Sequence, residues 1–154
     1  MKRNKLKGFT LIEVMMVLLI FAIMLSFVAI NTNFTLNEST KLKNFSATLL
    51  AKIKLAKQQA LFQHATLRLV IQPKQYWFQR LQKIDNQYQW RNVVNDSLLE
   101  ESQIDQNIIV ETSEPPILYP NGDFLPFVIK ISNKKHNLQY IISGDDTGAM
   151  RIHQ

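Results

Sequence analysis

From Phe9 to Ile30 the chain is apolar at every position except Thr10, Glu13 and Ser26. As a helix these 22 residues rise about 33 Å, enough to cross a hydrocarbon core of ~30 Å. No Gly or Pro stands between Gly8 and Pro73. The next stretch, Asn31 to Thr40, is polar and poor in strong helix formers, so propensity leaves loop, kink and continuing helix all open. A helical period then returns. Leu42, Phe45, Leu49, Ile53, Ala56 and Ala60 step by three and four and form one stripe, flanked by Lys41 and Lys52 on one side and Lys43 and Lys54 on the other. The pattern predicts a helix laid on a globular body with its edges in water, ending near His64.

After His64 the period becomes two. Leu67, Leu69 and Ile71 alternate with Thr66, Arg68 and Val70, and Pro73-Lys74 makes a turn. A second, aromatic strand is expected over Gln75 to Leu81. A third is expected around Tyr88, Trp90 and Val93, after a turn at Asp85-Asn86. Asn95 to Asn107 is acidic and reads as a surface loop with at most one helical turn. Ile108 to Val110 predicts a short strand, Pro115-Pro116 a break, and Pro120-Asn121-Gly122-Asp123 a turn. Strands follow at Phe127 to Ile131 and Leu138 to Ser143, joined through Asn133 to Asn137. Gly144 to Gly148 turns once more before a last strand at Met150 to Ile152. One long N-terminal helix followed by five to seven short antiparallel strands is an α+β outline, helix on sheet.

The start of the chain carries the most specific signal. Lys2, Arg3, Lys5 and Lys7 precede Gly8-Phe9-Thr10-Leu11-Ile12-Glu13, and Glu13 is the only charge in the apolar run. A carboxylate in such a segment is costly and usually functional. A secretory signal peptide does not fit, because the run is too long and no small-x-small site closes it. The string from Lys7 to Glu13 resembles the class III signal of type IV pilins and type II secretion pseudopilins. That resemblance implies a prepilin peptidase that cuts after Gly8 and methylates the new amino group of Phe9. It also implies that Glu13 pairs with an N-terminal amine during filament assembly, a role that would offset its cost in an apolar setting.

The expected segments are a cleaved leader (1–8), a transmembrane and filament helix (9–30), a helix continuing onto the globular domain (31–64) and an antiparallel β-sheet domain (65–154), which together make a pilin-like fold. Downstream, Gln58-Gln59-Ala60, the aromatic second strand, and Tyr119-Pro120-Asn121-Gly122 followed by Pro126-Phe127 resemble the H-type minor pseudopilins of type II secretion. The FimT and FimU minor pilins of type IV pili share this domain. The resemblance implies a structural component of the periplasmic pseudopilus, near its tip. Its partners would be other minor and major pseudopilins, the peptidase and the inner-membrane secretion platform. The alternative is a FimT/FimU-like minor pilin acting in pilus assembly or DNA uptake. A plain anchored periplasmic binding domain would leave Gly8 and Glu13 unexplained.

Charge changes this picture in one respect. The formal net charge is +6, but four of the 18 basic residues lie in the leader, leaving 14 Lys+Arg against 12 Asp+Glu, or +2. Nucleic-acid binding needs clustered cations. DNA-binding FimT proteins carry a Gly-Arg-x-Arg tail, whereas Gly148-Ala149-Met150-Arg151 lacks the first arginine. Both features argue against nucleic acid as a partner. Basic residues before the span and a net −1 over Asn31 to Thr40 place the N-terminus in the cytoplasm and the domain in the periplasm, as a single-pass inner-membrane protein. Cysteine is absent, which excludes disulfides and Cys-ligated metal. His64, His136 and His153 are scattered and no catalytic motif appears. Asp145-Asp146 reads as a solvated turn rather than a calcium loop. No enzyme, cofactor or metal is expected.

Overall fold

The computed structural model describes residues 11–94, 96–135 and 137–154, with side chains for all of these but 25–37. The chain divides into two compact units, Met1–Glu38 and Ser39–Gln154. The helix α1, Leu11–Phe62, supplies residues to both. It runs through Asn31 to Thr40, which settles the conformation that propensity left open. No Gly or Pro interrupts its 52 residues, and stronger helix formers flank the poor ones of Asn31 to Thr40.

In the first unit, the side chains from Leu11 to Met24 are all exposed. Ile12 is 77% exposed, Met16 68% and Phe21 60%, which water alone would penalise heavily. Such a continuous apolar surface marks a membrane or protein interface. Among the described residues no helix is long and apolar enough to cross a membrane. The run 11–24 rises only about 21 Å against the ~30 Å required. The rest of the expected 9–30 span lies outside the described side chains.

In the second unit the expected stripe is the buried face of α1. Leu42, Leu49, Ile53, Ala56 and Ala60 are at most 1% exposed, with Phe45 packed against them. Ser46 lies in the same face and turns its hydroxyl back to Leu42 O at 2.8 Å, so its burial leaves no orphan donor. The helix ends in a Schellman arrangement. His64 takes φ 49°, His64 N–H donates to Leu61 O, and Ala65 N–H donates to Ala60 O at 3.1 Å. Glycine usually fills that left-handed position, but histidine is among the residues that tolerate it.

Nine strands follow among the described residues, more than the five to seven expected, and they form two antiparallel sheets rather than one. The first sheet holds β1 (Leu67–Gln72), β2 (Gln75–Ile84), β3 (Gln87–Asn92), β4 (Ser102–Gln103) and β6 (Ile117–Leu118), in the order β3-β2-β1-β6 with β4 also pairing β2. The second runs β5-β7-β8-β9, from β5 (Ile108–Thr112), β7 (Phe127–Asn133), β8 (Gln139–Gly144) and β9 (Met150–His153). Asp85 and Asn86 both take positive φ, 49° and 66°, as a two-residue hairpin of matching twist demands. One core joins the helix stripe to Leu67, Leu69 and Phe78 of the first sheet and Ile129, Ile131 and Ile142 of the second.

The acidic stretch Asn95 to Asn107 is not the plain surface loop expected. Leu99 is fully buried and Ile104 is 6% exposed, so two apolar anchors pull the segment onto the core. Between them, β4 pairs with the start of β2, Tyr76 opposite Ser102.

Candidate assembly segment and domain surface

Gly8 and Phe9, the expected processing residues, lie outside the described residues. Glu13 stands in the first turn of α1, where a carboxylate is favoured by the helix dipole. Exposed Leu11, Ile12, Val14, Met16 and Val17 surround it in sequence. The segment therefore carries one acid on an otherwise apolar, exposed stretch of helix.

On the domain, Lys41, Lys43 and Lys54 are exposed as expected of a solvated flank. Lys52 departs from that expectation. Its Nζ donates to Ser102 Oγ at 2.6 Å and to Glu100 O at 3.5 Å, and lies 5.6 Å from the Tyr76 ring centroid. Gln59 adds a second tie, donating to Asp96 Oδ2 at 2.7 Å. Lysine and glutamine on the helix thus hold the acidic segment by its backbone and one carboxylate. Tyr76 is itself in the core, and burial raises the pKa of its phenol, partly offset by a hydrogen bond with Ser102.

The Asp145-Asp146 turn has an internal explanation. Asp145 Oδ1 accepts from Thr147 Oγ1 at 2.6 Å, Ala149 N–H at 3.0 Å and Thr147 N–H at 3.1 Å. Gly148 takes φ 84° and its N–H closes the turn onto Asp145 O. Those bonds favour the charged carboxylate and lower its pKa, the Thr147 hydroxyl foremost. No group of metal-ligating side chains occurs among the described residues. Because the folded-state pKa is depressed, the turn's stabilisation is present above the unfolded value of ~3.9 and is lost as pH falls through the lower folded value. Acid unfolding of Asp145→Ala should accordingly show less pH dependence below about pH 4 than that of the parent, read by circular dichroism.

The cations relevant to nucleic acid are dispersed. Lys134 and Lys135 sit in the β7–β8 turn, whereas Arg151 pairs opposite Ser143 on β9. Four strand positions, Gln139 to Ser143, separate these sites along β8, about 13 Å. His153 lies on β9, His64 caps α1, and His136 falls outside the described residues.

Comparison with known proteins bears on both parts of the molecule. A family profile described as the prokaryotic N-terminal methylation motif matches residues 3–29, from the basic start into the apolar run. Two structures of the minor pseudopilin EpsH from the type II secretion system of Vibrio cholerae match the fold. One aligns with a TM-score of 0.62 at 16% identity, covering 72% of this chain and 94% of EpsH. The other gives 0.63 at 14% identity, covering 74% and 94%. The chain has the fold of a minor pseudopilin. No protein of curated function matches it by sequence. At 14–16% identity, what this pseudopilin-like chain shares with EpsH is its fold.

Proposed function

We propose that the chain is a minor pseudopilin of a type II secretion system, most like the H component, and a structural part rather than an enzyme. The observation that carries this reading is the union of a prepilin-type methylation motif at 3–29 with a pseudopilin fold over most of the remainder. The peptidase would cut after Gly8 and methylate Phe9. The apolar helix would rest in the inner membrane with its N-terminus cytoplasmic, and the domain would stand in the periplasm. Glu13 would meet an N-terminal amine as the subunit joins its major and minor partners near the pseudopilus tip. The assembled filament would then drive folded proteins across the outer membrane.

The experiment that separates this from DNA uptake pairs a deletion with a titration. A host lacking the chain should retain its exported proteins, folded, in the periplasm. The purified protein should bind duplex DNA only non-specifically, with a Kd of ~10⁻⁴ M or weaker at physiological salt. Normal export after deletion would defeat the secretion reading. Micromolar, salt-dependent DNA binding that vanishes on replacing Lys134, Lys135 and Arg151 would favour the minor-pilin alternative.

A further inference from the structure

The open edge of the first sheet has an unusual composition. Among the described residues β3 pairs with β2 alone and ends the strand order. Val93 N–H donates to Phe78 O, and Arg91 and Gln89 lie opposite Arg80 and Gln82 in the same alternation. An antiparallel ladder turns the backbone groups of intervening residues the other way. Tyr88, Trp90 and Asn92 therefore point their N–H and C=O groups out of the free edge. Natural edges are commonly blunted by bulges, prolines or lysines. The segment Gln87–Asn92 contains no proline, glycine or lysine, and its one charge is Arg91.

Charge and satisfaction of polar groups say what would pair there. From Leu67 to Asn92 the cations are Arg68, Lys74, Arg80, Lys83 and Arg91, against a single carboxylate, Asp85, in the hairpin turn. Arg80 and Arg91 stand directly opposite each other, and like charges so placed repel. Arg80 bonds Gln63 through its terminal nitrogen, while its Nε is buried without a hydrogen-bond partner. The opposite face of β3 carries Tyr88, 71% exposed, and Trp90, whose ring lies 4.3 Å from the Arg68 guanidinium. A cleft of about 530 Å³ beside the strand is lined by Gln82, Trp90, Arg91, Asn92 and Val94.

We infer that the β3 edge is a docking site for an acidic, extended segment of a partner protein, added as a further antiparallel strand. Its carboxylates would lie on the face of Arg80 and Arg91, relieving their repulsion, and its alternate apolar residues would lie against Tyr88 and Trp90. Backbone bonds to Tyr88, Trp90 and Asn92 would give the affinity, and the alternation of acid with apolar side chains the selectivity. This goes beyond the secretion reading and does not depend on it, because strand addition at β3 requires only the sheet described above.

The test uses the full chain in detergent micelles at low salt and a synthetic peptide, TEVEVEVT. Binding is followed by tryptophan fluorescence and by backbone amide exchange. The expected result is saturable binding below about 1 mM, with slowed exchange at Tyr88, Trp90 and Asn92. Affinity should fall at least about tenfold for the counterpart TKVKVKVT, and Arg91→Glu should reverse that preference. The glutamate peptide N-methylated at alternate amides should also lose binding, and this control leaves the protein untouched. Equal affinity for the two charge forms, unchanged binding of the N-methylated peptide, protection away from β3, or no saturation would each overturn the proposal.

Discussion

Cells producing Glu13→Val should place the protein in the membrane at least as well as the parent, yet secrete no better than cells without it. A charged side chain within an apolar helix costs roughly 3 kcal/mol on insertion-based scales, so valine should ease insertion rather than hinder it. What valine removes is the acid that an incoming N-terminal ammonium would meet among packed apolar helices. Loss of assembly with intact insertion separates those two roles, and fractionation with a secretion assay measures both. Normal secretion by Glu13→Val would show that the carboxylate is tolerated rather than used.

The largest stability effect is expected at Gly144. A Cβ there would lie 2.5 Å from Phe127 Cε1 and 2.6 Å from Phe124 Cε2. Neither ring can retreat freely, because the two pack on each other with centroids 5.7 Å apart and both are buried. Gly144→Val should therefore destabilise the domain by about 3 kcal/mol or more, as core overpacking does, a large share of a typical 5–15 kcal/mol. Gly148→Ala is the informative comparison. Its φ of 84° makes alanine strained, but the nearest atom is Lys57 Nζ at 3.8 Å, so only about 1 kcal/mol should be lost. Urea midpoints should rank parent, Gly148→Ala, Gly144→Val. A Gly144→Val midpoint equal to the parent's would mean that the aromatic corner is looser than its packing indicates.

The reason Gly144 carries so much is not visible in its neighbours along the chain. Gly144 reads as the first residue of a turn, and only the folded domain brings Phe127, its partner across the β7–β8 ladder, and Phe124, from the connection before β7, against it. The same distinction runs through the whole fold. The helical stripe from Leu42 to Ala60 and the alternation of Leu67 and Leu69 are legible because burial of one face imposes its period on the sequence. The Asp85-Asn86 turn is legible because few residues accept positive φ. Strands of two residues, Ser102–Gln103 and Ile117–Leu118, have no room for a period, and the split into two sheets follows from pairings between distant segments. Leu99, beside an exposed Leu98, and Ile104 are apolar residues in an acidic, polar stretch, a pattern that looks solvated until their burial is seen.

The match to an N-terminal methylation motif was legible because its string, Lys7 to Glu13, is contiguous and needs no tertiary structure to be read. Lys52 was not. A lysine beside a hydrophobic stripe looks like a wet flank, and its partners, Ser102 and the Glu100 carbonyl, lie some fifty positions along the chain. The β3 edge was equally hidden, since Gln87 to Asn92 looks ordinary until the strand order leaves it unpaired.

Mass spectrometry of the intact protein, purified from the membranes of cells that make it, reads the processing at Gly8 and Phe9 directly. A processed pseudopilin should begin at Phe9, lack residues 1–8 and carry one methyl group on its new N-terminal amine. A chain that keeps its leader, or begins at Phe9 without the methyl group, would contradict the pseudopilin reading.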